Sequence, residues 1–130
     1  MTGRVVHFEI PFDDAGRAKA FYREVFGWTM RDMPGWDYVT VSSGPTREDG
    51  SATEPGYIGG GMTARTGVNG TTVITIDTDD ADATLATVAA HGGEVLQDKM
   101  PVGDLGFAAY FRDPEGNVVG LWQDAGRTAG

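Results

Sequence analysis

Residues Phe111–Trp122 read FRDPEGNVVGLW, an order that specifies two strands joined by a tight turn. An aromatic strand runs into Asp113-Pro114, where the proline ring fixes φ and starts the turn, and Gly116-Asn117 supply residues that tolerate a left-handed backbone. Val118 to Gln123 then forms the second strand. Side chains alternate across a strand, so Val119 and Leu121 go to one face and Val118, Gly120 and Trp122 to the other.

The same strand–helix grammar appears twice in the chain. Near the N-terminus Val6, Phe8, Ile10 and Phe12 alternate with Val5, His7, Glu9 and Pro11, which gives a first strand with one apolar face and one face carrying two titratable groups. Asp13-Asp14 stops it, and Ala18, Phe21, Tyr22 and Val25 follow at helical spacing, with Gly27 placed as a left-handed cap. Further along, Ile74 matches Phe8, Ile76 matches Ile10, Asp79-Asp80 match Asp13-Asp14, Ala81 matches Ala15, Val88 matches Tyr22 and Gly93 matches Gly27, all in one gap-free register. An internal duplication is the simplest account. Three strands complete each unit: near Trp28–Asp32, Trp36–Ser42 and Tyr57–Met62 in the first, and near Glu94–Met100, Gly106–Arg112 and Val118–Gln123 in the second. The polar stretch Ser43–Pro55 between strands is predicted to be a mobile surface loop and a candidate lid.

The chain of 130 residues suits one domain, with a first module over 1–66 and a second over 67–130. The absence of cysteine removes disulfides, thiolate zinc sites and thiol nucleophiles. A formal charge of −9 disfavours nucleic acid, whose phosphates require clustered Lys and Arg, and suits cationic small molecules. No apolar run is long enough to cross a bilayer or to serve as a signal peptide, so a cytoplasmic location is expected.

Two βαβββ units, a first strand reading VHFEIPFDD, a helix ending AFYREVFGW and the DPEGN hairpin together resemble the vicinal oxygen chelate superfamily, which includes glyoxalase I, bleomycin-resistance proteins, fosfomycin-resistance enzymes and extradiol dioxygenases. GGGM and DPEGNVVGLWQ are similar to a glyoxalase-like subgroup related to lactoylglutathione lyase. The resemblance implies an α+β fold in which two tandem βαβββ modules form a curved mixed sheet around a central cup, commonly as a homodimer. It also implies a divalent metal held by four side chains, two from each module. Those positions fall on His7, within Gly59-Gly60-Gly61, on Val73 and on Gly120. Only His7 can donate.

Glu9 lies on the same face as His7 and adds a carboxylate, yet a divalent ion normally takes three or four protein ligands, so no metal cofactor is expected. His91, beside Gly92 at a helix end, reads as a group favoured by the helix dipole. With Val39 and Val41 packed on the core, Trp36, Tyr38 and Thr40 fall on the His7 side, Trp122 joins them from the last strand, and Tyr57 opens the glycine-rich strand. His7, Glu9, Trp36, Tyr38, Tyr57 and Trp122 are the candidate ligand contacts, in a cup that glycine leaves roomy. Each aromatic taken singly is better explained by ordinary packing, including at a dimer interface. The expected function is capture of an aromatic or cationic small molecule; the alternative is a lyase or isomerase using His7 and Glu9 as unusual metal ligands or as a general base.

Overall fold

The computed structural model of the chain describes residues 3–35, 37–47 and 51–126. Trp36, one of the candidate ligand contacts, lies outside the described residues. The described residues form eight strands and two helices: β1 Val5–Phe12, α1 Ala15–Phe26, β2 Thr29–Asp32, β3 Tyr38–Ser42, β4 Gly59–Ala64, β5 Val73–Asp77, α2 Ala81–Ala90, β6 Glu94–Val102, β7 Gly106–Arg112 and β8 Val118–Asp124. This is the α+β class, with the βαβββ order twice over.

Two compact units divide the chain, His7–Thr72 and Met1–Val6 with Val73–Gly130. The division differs from the halves 1–66 and 67–130 because the start of the chain is laced to β5: Gly3 N–H donates to the Asp77 carbonyl at 2.8 Å, and Asp77 N–H to the Arg4 carbonyl at 2.8 Å.

In the His7–Thr72 unit the strand order is β2-β3-β4-β1, with β1 parallel to β4 and the other pairs antiparallel. Val39, Val41 and Met62 are buried at its core, with Phe8, Ile10, Phe12, Ala18, Tyr22, Trp28 and Met30 packed around them. Asp14 caps α1 by accepting from Arg17 N–H at 3.0 Å, and Gly27, at φ 73°, closes the helix in the left-handed region. Phe21 and Val25, expected on the inner stripe, are instead 53% and 57% exposed. Tyr22 takes the inward place, stacked on Trp28 at 4.9 Å between ring centroids, and Phe21 meets Tyr22 edge-on from outside.

In the other unit the order is β5-β8-β7-β6, with β5 parallel to β8 and the rest antiparallel. Leu85, Ala109 and Leu121 form its core, with Ile76, Val95 and Phe111 against them. Asp80 repeats the cap of Asp14, accepting from Ala83 N–H at 3.1 Å, and the buried Gln123 side chain accepts from Ala81 N–H at 2.8 Å. The repeat places the left-handed residue after α2 at Gly93, but it is Gly92 that adopts φ 93°. Gly93 is glycine for another reason: a Cβ there would lie 2.5 Å from Val88 Cγ1.

The Asp113–Asn117 turn forms as expected, except that Gly116 alone takes positive φ. The Asp113 carboxylate accepts from the backbone N–H groups of Asn117 at 2.8 Å and Glu115 at 2.9 Å, an Asx-type arrangement that joins β7 to β8. The Asn117 bond is the main reason that the Asp113 pKa is lowered.

Candidate functional site

Alternation along β1 sends Phe8 and Ile10 into the core of their unit and turns His7 and Glu9 to the opposite face. The register of β1 on β4 sets His7 beside Gly59 and Glu9 beside Gly61, while β3 places Thr40 beside Gly61 and Tyr38 beside Thr63. Tyr38 therefore leans diagonally across Gly61. A Cβ at position 61 would lie 1.9 Å from the Tyr38 hydroxyl, so the phenol occupies space that only glycine leaves free.

The hydroxyl ties the two titratable groups together. It stands 2.7 Å from His7 Nε2 and donates to Glu9 Oε2 at 2.8 Å. Asn69 Nδ2 donates to the other carboxylate oxygen, Glu9 Oε1, at 3.0 Å. Glu9 and Asn69 are 7% and 9% exposed, and a carboxylate so buried is tolerable because both oxygens receive hydrogen bonds. Asn69 is itself fixed by a turn in which its N–H donates to Thr66 Oγ1 at 2.9 Å. Burial lowers the His7 pKa, and the Glu9 charge offsets this only in part.

A resident divalent metal does not fit these donors as they are arranged. An ion shared by His7 and Glu9 needs the place that the Tyr38 hydroxyl holds, and glycine at 59 to 61 adds no side-chain ligand. Among the described residues no three His, Asp or Glu side chains gather as a metal site.

Strand register also singles out Gly61, among the three glycines, as the counterpart of Gly120. Thr75, the repeat partner of Glu9, pairs with Gly120 as Glu9 pairs with Gly61. At Gly120 an added Cβ would lie 2.8 Å from Thr75 Oγ1 and 3.4 Å from Tyr110 Cε1. Neither glycine leaves the roomy space expected of it. In both units a tyrosine of the adjacent antiparallel strand covers the glycine.

The other candidates have different surroundings. Tyr57 packs its ring over Gly44 and donates its hydroxyl to the Pro45 carbonyl, anchoring the Ser43–Pro55 segment. That segment is not structureless: Thr46 bridges Ala52, and Arg47 N–H donates to the Ser51 carbonyl at 2.9 Å. Trp122, half-buried on β8, donates its indole N–H to Asp124 at 2.7 Å and lies over Gly106. His91 sits at the end of α2 with Nδ1 2.9 Å from the Thr87 carbonyl, as its place in the sequence suggested. Asn69 was missed by sequence reading. It lies in a short polar connection, and nothing local links it to a carboxylate 60 positions earlier.

Residues 4–44 match a family described as bleomycin resistance protein-like N-terminal. CFP32 of Mycobacterium bovis and of Mycobacterium tuberculosis, named as a candidate glyoxylase, is 34% identical over 112 residues, which is 85% of this chain and 41% of the relative. The anthracycline biosynthesis protein DnrV of Streptomyces peucetius is 30% identical over 135 residues, covering 93% of this chain and 47% of the relative. The chain thus spans less than half the length of these curated relatives. Among solved structures, a Streptomyces coelicolor methylmalonyl-CoA epimerase variant in complex with 2-nitronate-propionyl-CoA matches with a TM-score of 0.62 at 18% identity, covering 100% of both chains. The Mn(II)-bound glyoxalase from Novosphingobium aromaticivorans matches with a TM-score of 0.57 at 18% identity, covering 99% of this chain and 42% of that one. At such identity the solved structures establish the fold alone.

Proposed function

Because this chain belongs to the vicinal oxygen chelate superfamily, we propose that it is a glyoxalase- and bleomycin-resistance-like small-molecule-binding protein that works without a resident metal and meets its ligand on the His7–Tyr38–Glu9 face. The observation that carries this is the Tyr38 hydroxyl bridging His7 Nε2 and Glu9 Oε2, which commits to each other the two groups that an ion would need. An aromatic or cationic ligand suits a face that combines a phenol, an imidazole and a buried carboxylate on a chain of net charge −9. The protein is proposed to act in the cytoplasm as a homodimer, which sedimentation of the purified chain tests.

The test of binding is thermal stabilisation by a compound library, since a ligand of the native state must raise the midpoint. Hits that lose their effect in His7→Ala support the proposal. Hits indifferent to His7→Ala and to Glu9→Gln count against this face.

One observation favours a second reading, metal-free acid–base catalysis. Burial lowers the His7 pKa, which keeps the imidazole neutral and able to accept a proton at neutral pH. Turnover of a carbon acid that disappears in His7→Gln distinguishes it from binding alone.

A further inference from the structure

The Tyr38 hydroxyl carries one proton, and that proton goes to Glu9 Oε2. Its oxygen, 2.7 Å from His7 Nε2, can then only accept, so Nε2 must carry the imidazole proton. In a neutral imidazole this leaves a lone pair on Nδ1, which has no hydrogen-bond partner among the described residues. Two features hold the arrangement. Asn69 Nδ2 fixes the far oxygen of Glu9 at 3.0 Å, and Gly61 leaves the phenol room that any side chain would fill.

We propose that Tyr38, Glu9 and Asn69 are positioning residues that fix His7 as its Nε2–H tautomer, leaving Nδ1 as the acceptor for an N–H or O–H group of the ligand. The ligand class thereby narrows to molecules with a donor that can reach the imidazole. The relay rests on the function proposed above only for where the ligand sits. The tautomer itself is measurable without any ligand.

Long-range proton–nitrogen correlation spectra of the ring nitrogens test the first part. The chain has two histidines, so His91→Gln assigns His7 directly. At neutral pH, His7 is expected to show a pyrrole-type Nε2 and a pyridine-type Nδ1. Tyr38→Phe, and separately Gly61→Ala, which displaces the phenol without removing it, are expected to give an averaged mixture of tautomers. Glu9→Gln turns one of the two accepting oxygens into an N–H donor, so the phenol and Asn69 compete for the remaining oxygen, and it too is expected to give an averaged mixture of tautomers. A wild-type Nδ1–H tautomer, or an unchanged pattern in both a folded Tyr38→Phe and a folded Gly61→Ala, overturns the proposal.

The second part uses small aromatic amines and phenols against their fully N-methylated or O-methylated counterparts as probes. Donor compounds are expected to shift the His7 Nδ1 resonance and to bind about tenfold tighter than the methylated forms. Equal binding with Nδ1 unmoved overturns the ligand class while leaving the binding face intact. Failure of every probe to bind, with the tautomer as expected, overturns the ligand class and counts against the proposed binding function, but not against the relay.

Discussion

Asn69→Ala removes a donor from the buried Glu9 carboxylate, and hydrogen bonds to charged groups contribute about 1.5–3 kcal/mol, so urea unfolding is expected to show a loss of that order. Gly61 and Tyr38 form a second testable pair. Gly61→Ala is expected to cost about 1–3 kcal/mol because the new methyl and the phenol compete for one place, and the cost should largely vanish in a Tyr38→Leu background. Strictly additive effects would mean that the phenol does not sit over residue 61. For His7, burial lowers the pKa below the unfolded value of 6.5 and outweighs the opposing effect of Glu9. The unfolded chain therefore takes up the proton first as pH falls. Stability contributed by neutral His7 is complete above about pH 6.5 and is lost as pH falls through its folded pKa. The melting temperature of the wild type should drop over that window more steeply than that of His7→Gln. At this scale the sequence was only partly legible. The faces of His7, Glu9 and Tyr38 followed from alternation, but the diagonal reach of Tyr38 over Gly61 depends on strand register, and Asn69 joins through a loop.

At the scale of elements, local signals carried furthest. Asp14 and Asp80 each cap a helix because a side chain and the amide it serves are three residues apart, a relation visible in any sequence. Asp113 organises its hairpin in the same local way. Longer relations were hidden. Gln123 serves Ala81 from a strand 42 positions away, and Tyr57, a candidate ligand contact, donates its hydroxyl to the Pro45 carbonyl 12 positions earlier. Gln123→Leu leaves the buried Ala81 N–H without its side-chain acceptor and is expected to cost about 1–3 kcal/mol, measured by denaturant unfolding. Gly106→Ala should be at least as damaging, since its Cβ would stand 2.4 Å from the backbone carbonyl of Gln123 and strands cannot part there without losing their ladder. Helix α1 shows the limit of periodicity: Phe21 and Val25 keep helical spacing yet point outward, because stacking of Tyr22 on Trp28 decides which side faces in.

For the whole molecule, duplication explains why fold and chemistry are legible to different degrees. Each βαβββ run repeats the strand order and the helix N-caps, while the positions at which the resemblance implies metal donors hold Val73, Gly61 and Gly120 beside His7. A Cβ at Gly61 would meet the Tyr38 hydroxyl, and one at Gly120 would meet Thr75 and Tyr110, so neither glycine opens space for a ligand. The most direct test of metal-independent function is calorimetric titration of the purified, metal-stripped chain with Zn²⁺, Mn²⁺ and Ni²⁺, with His7→Ala as control. The expected result is no stoichiometric binding to the wild type and no difference between the two proteins. Tight one-to-one binding by the wild type that disappears in His7→Ala would contradict it.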